Sequence, residues 1–137
     1  MSDSPDRFVD ETGDIDSAAV GERITMLADR AARDAETFDP PESPPDPEQA
    51  IEYLRTGAGQ VIVLYAHLRT GGRFYHFSPE EFEQLETAMN TWFSLYAACL
   101  GVEMESAVSL RTAAEAFVDT EDILAVAETV TGVSGRS

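Results

Sequence analysis

FSPEEFEQLETAMNTWFSLYAACLG, residues Phe77 to Gly101, is the stretch on which the fold turns, because it holds a helix start, an apolar stripe and a stop. Ser78 stands before Pro79, an N-cap followed by proline at the first helical position, where the missing N–H costs nothing. Glu81 lies three residues after Ser78 and completes a capping box, and Phe77 and Phe82 occupy the two positions of a hydrophobic staple. Glu80, Glu81 and Glu83 suit the positive end of the helix dipole. Beyond them Phe82, Leu85, Met89, Trp92, Tyr96 and Cys99 recur at spacings of three and four, which places them on one helical face. Ala88, Phe93, Leu95 and Leu100 widen that face, and Gly101 supplies the left-handed stop. A helix over residues 79–100, roughly 33 Å long, is predicted as the centre of the domain.

Working back toward the N-terminus, a second three-four alternation joins Ile51, Leu54, Ala58, Val61, Tyr65 and Leu68 and predicts a helix from about Glu48 to Arg69. Gly57 and Gly59 oppose it, each costing up to ~1 kcal/mol against alanine in a helix interior, unless they allow close packing against another helix. The same residues admit an α+β alternative, a β-hairpin over 60–77 turning at Gly71 and Gly72. In the helical reading Gly71 is the cap.

Asp39 to Pro47, DPPESPPDP, holds five of the seven prolines and predicts a stiff connector. Before it, Val20, Ile24, Leu27, Ala31 and Ala35 form the stripe of a helix from Asp16 or Ser17 to Glu36, with Phe38 just beyond. Arg23, Arg30 and Arg33 are assigned to a salt-laced outer face, since Glu22, Asp29, Asp34 and Glu36 flank them.

After Gly101, a helix over Ala107 to Val118 is expected to turn Leu110, Ala114, Phe117 and Val118 inward. A last helix, Glu121 to Val130, is expected to be capped by Thr120 and to bury Ile123, Leu124, Ala127 and Val130. Residues 1–16 carry six acids and one arginine and read as a disordered solvating tail; residues 132–137 read as a flexible tail. The fold class is therefore mainly α, a bundle of four to five helices within one domain over 17–131.

The chain has 137 residues, 43% of them apolar, including one tryptophan, four tyrosines and seven phenylalanines, enough for one real core. Asp and Glu total 26 against nine arginines and no lysine, for a net charge of −17. Acid-rich surfaces without lysine are the expected answer to a cytoplasm full of salt, where carboxylates hold water and lysine's apolar stem is a liability. The composition predicts a halophilic, archaeal, cytoplasmic protein. The apolar content argues against wholesale disorder, and no segment reads as a signal peptide or a membrane span.

Chemistry is sparse. Without lysine there is no Walker A loop, Schiff-base lysine or lysine general base. Neither Glu-x-x-His nor HExxH occurs, and the single Cys99, placed on the apolar stripe, excludes an internal disulfide; no metal or cofactor is expected. One cluster concentrates polar function: His67, Arg69, Gly71, Gly72, Arg73, Tyr75 and His76, where guanidinium forks and glycine N–H groups could hold a phosphate or carboxylate. The competing assignment has Arg69 complementing a helix C-terminus and Arg73 pairing with a nearby acid. On the hairpin alternative the same arginines would tip a wing, a nucleic-acid reading opposed by the net charge.

The acidity, the missing lysine and the pattern RTGG…FSPEEF…LYAACLGVE, over Arg69 to Glu103, resemble small conserved haloarchaeal proteins of unknown function. The resemblance implies no activity and gives no residue a role. The reading that accounts best for the sequence is a non-enzymatic interaction or assembly module. Tyr65, Trp92, Phe93 and Tyr96 are its candidate interface, with a homodimer or a protein partner in view and no membrane. An anion-binding protein or enzyme is the alternative.

Overall fold

The computed structural model describes residues 17–39, 42, 46–70, 77–104 and 107–132. Their helices are α1 (Ser17–Thr37), α2 (Pro47–Tyr53), α3 (Gly59–Thr70), α4 (Pro79–Cys99), α5 (Leu110–Thr120) and α6 (Ile123–Thr131). A π-helical turn, Leu54–Ala58, joins α2 to α3, so Pro47 to Thr70 is one continuous helical run. No strand occurs among the described residues. The hairpin alternative is overturned where it is described, since residues 61–70 are helical.

The central helix begins as its sequence dictates. Ser78 Oγ accepts from the Glu81 N–H at 3.1 Å, and Glu81 Oε1 accepts from the Ser78 N–H at 2.9 Å. Phe77 and Phe82 both pack on Tyr65 of α3, with ring centroids 5.3 and 5.8 Å apart, so the staple closes through a neighbouring helix. The far end is a Schellman motif around Gly101, whose φ is 80°. The Gly101 N–H donates to Ala98 O and the Val102 N–H to Ala97 O, each at 3.0 Å. Ser78→Ala should cost about 1 kcal/mol, read by urea denaturation; an unchanged midpoint would mean that Pro79 and packing on Tyr65 alone set this terminus.

Every large residue of the α4 stripe from Leu85 to Cys99 is buried. Around it, α1 contributes Val20, Ile24, Leu27 and Ala31, and the run through α3 contributes Leu54, Ala58, Val61, Ile62, Tyr65 and Leu68. Two stripe assignments are corrected. Ala35 is exposed, because the end of α1 is anchored instead by Phe38 against Tyr53, ring to ring at 6.1 Å. Val118 is 59% exposed, because Leu110, Ala113, Ala114 and Phe117 already span the inner face of α5 and Val118 lies at its edge.

The C-terminal helices also depart from expectation at their starts. Residues 107–109 are not helical; α5 begins at Leu110 because α4 holds the preceding backbone. Asn90 donates through Nδ2 to Val108 O at 2.9 Å and accepts from the Val108 N–H through Oδ1 at 2.7 Å. Glu86 Oε2 accepts from the Leu110 N–H at 2.9 Å, supplying from α4 the cap that Ser109 does not give. Thr120 ends α5, its hydroxyl donating back to Ala116 O. The cap of α6 is Asp122, which accepts from the Leu124 and Ala125 N–H groups at 3.0 and 3.4 Å. A carboxylate makes the stronger acceptor, and the left-handed turn at Glu121, φ 54°, lies between the two helices.

Candidate functional site

Of the polar cluster singled out in the sequence, His67 is an exposed residue of α3 and Arg69 lies in its last turn. Gly71, Gly72, Arg73, Tyr75 and His76 lie outside the described residues, as does the acidic segment 1–16. The four aromatic residues proposed for an interface are placed in the core: Trp92, Phe93 and Tyr96 are fully buried and Tyr65 is 5% exposed. That assignment is corrected. An interface needs surface, and these rings spend theirs on the packing between α4 and its neighbours.

The structure instead builds a polar junction around the π turn. Tightening or widening a helix frees main-chain groups from the regular ladder, and those groups need partners. Arg30 of α1 donates through Nη2 to Thr56 O at 2.9 Å, and Gln60 donates through Nε2 to Arg55 O at 3.1 Å. Arg23 donates to Gln60 Oε1 at 3.0 Å. The Arg30 guanidinium carbon lies 5.9 Å from the Trp92 ring centroid, within cation–π range. Asp34 Oδ2 accepts from the Trp92 indole N–H at 2.8 Å, satisfying the polar edge of a ring that is otherwise sealed.

Gly57 lies against the indole. A Cβ added there would stand 2.4 to 2.5 Å from Trp92 Cγ, Cδ2 and Cε2, so the turn backbone lies directly against the ring. The sequence allowed for close packing at this glycine, and the close approach is to Trp92. At Gly59 the added Cβ would stand 2.6 Å from Leu54 O, within the π turn itself.

Arg23, Arg30 and Asp34 were read as an outer, salt-laced face, and their inward contacts are what that reading missed. The signal was available: Arg23 and Arg30 directly precede the core residues Ile24 and Ala31, and Asp34 lies three residues after Ala31 and seven after Leu27, in line with the buried stripe. Separating such positions from open surface requires knowing which side meets the π turn.

At the end of the bundle beyond the tryptophan, Gln49 Nε2 donates to the Tyr53 hydroxyl at 3.2 Å, and the Asp46 N–H donates to Cys99 O at 2.7 Å. Burial pushes the Cys99 thiol up to about 11, with Asp46 adding to the effect. Burial likewise raises the Tyr53 phenol, and Gln49 opposes the rise. Both groups are protonated at neutral pH, so this corner offers neither a thiolate nor a phenolate nucleophile.

The sign of the resulting pH dependence follows from linkage. A thiol whose value rises on folding binds its proton more tightly in the native state, so its stabilising contribution is complete below the unfolded value near 9 and is lost as pH rises toward about 11. Thermal midpoints should therefore fall through this window, and Cys99→Ala should flatten the fall relative to wild type. Equal slopes in the two proteins would remove Cys99 from the explanation.

Outside the junction, a groove of about 410 Å³ runs between α1 and α4. Ala31 and Ala88 form its floor, Ala28, Ala32, Thr87 and Thr91 its sides, and Glu80 and Glu83 also line it. Among the described residues no group of three or more His, Cys, Asp or Glu side chains is arranged to hold a metal ion, and no helix is long and apolar enough to cross a membrane.

A family model described as a domain of unknown function, DUF8055, covers residues 18–135. No curated protein and no solved structure matches the chain.

Proposed function

The chain belongs to the DUF8055 family, whose description assigns no activity, and from that premise we propose that it is a non-enzymatic helical interaction or assembly module. We place it in a salt-adapted archaeal cytoplasm, on the strength of its 26 acids, nine arginines and absent lysine. The observation that supports the interaction reading best is the groove between α1 and α4. Seven of its nine lining residues are uncharged, four alanines, two threonines and Gln84, in a chain whose net charge is −17. Small side chains on two adjacent helices leave room for the ridge of a third, the geometry by which helices interdigitate. Gly21, two turns ahead of Ala28 on α1, has nothing within 4 Å of the position its Cβ would take, so the chain's own packing does not require a glycine there.

A second copy of the chain is the partner to test first. Light scattering in molar KCl should give the mass of an assembly for wild type and of a single chain for Ala32→Glu, whose carboxylate would stand in the groove. Since Ala32 is exposed, the substitution should leave the melting temperature within a few degrees of wild type. A single-chain mass for wild type across the accessible concentration range would overturn self-assembly. Unchanged association in Ala32→Glu would move the interface away from this face.

A further inference from the structure

No further inference is drawn: the strongest candidate, the edge of α1 from Gly21 to Ala35 beside the groove between α1 and α4, belongs to the face already proposed, and nothing in the structure shows what covers it.

Discussion

Gly57→Ala should destabilise the protein by about 3 kcal/mol, the upper part of the range for overpacking a closed core. The new methyl would stand 2.4 Å from the Trp92 ring, and neither side can give way easily. The ring is fully buried, tied through its N–H to Asp34 and lies within cation–π distance of Arg30. The glycine sits in a turn whose Thr56 carbonyl is itself held by Arg30. Helix propensity works in the opposite direction, since alanine is favoured over glycine by up to ~1 kcal/mol, so the sign of the effect discriminates packing from propensity. A drop in melting temperature on the order of 10 °C is expected for a domain of this size. In the background of Trp92→Leu, which removes the ring, the same substitution should cost much less, a coupling on the order of 1 to 2 kcal/mol. A Gly57→Ala protein as stable as wild type would mean that the π turn moves freely away from α4.

Removal of salt should have the larger effect on the whole molecule. The described acids are mostly on the surface; Glu22, Asp29, Glu36, Glu52, Glu83, Glu103, Glu115 and Asp119 are all exposed. A net charge of −17 repels itself in any compact state. In molar salt, the screening length is about 3 Å and this repulsion is confined to nearest neighbours; in about 10 mM salt it is about 30 Å, the scale of the domain itself. Circular dichroism melts in KCl from molar to millimolar should show the midpoint falling steadily, with the cooperative transition lost at the dilute end. An equal midpoint throughout the series would end the salt-adaptation argument, leaving the composition without that cause.

Helix termini were legible in the sequence where the signal was local. Ser78, Pro79 and Glu81 specify the start of α4 within a few residues, and Gly101 specifies its stop, because each acts on backbone groups one turn away. The start of α5 was less legible for the opposite reason, whereas that of α6 is set locally by Asp122, two residues past the Thr120 expected to cap it. Asn90 acts on Val108 and Glu86 on Leu110 from another helix, at separations of 18 and 24 residues, and no local pattern records that. The π turn was partly legible. Three-four alternation from Ile51 to Leu68 continues through it unbroken, while Gly57 and Gly59 marked the place where a regular helix was disfavoured. What those glycines were for needed the position of Trp92. The aromatic residues show the limit most directly: periodicity placed Trp92, Phe93 and Tyr96 on a helix read as central, but whether its neighbours cover those rings completely depends on how the other helices pack around it. The polar loop around Arg73 lies outside the described residues, and its anion-binding reading stands where the sequence left it.

The bond from the Trp92 indole to Asp34 spans 58 positions of chain, with α2, the π turn and α3 formed from the residues between. Closing so long a loop is entropically costly until the intervening elements have something to pack on. The pairing of α4 with the Pro47 to Thr70 run involves shorter separations, so it should form first and leave α1 to dock afterward. The single tryptophan sits where these events meet, and its emission therefore offers a clock for the order of assembly: a change accompanying α1 docking would arrive after most of the helical signal has already appeared.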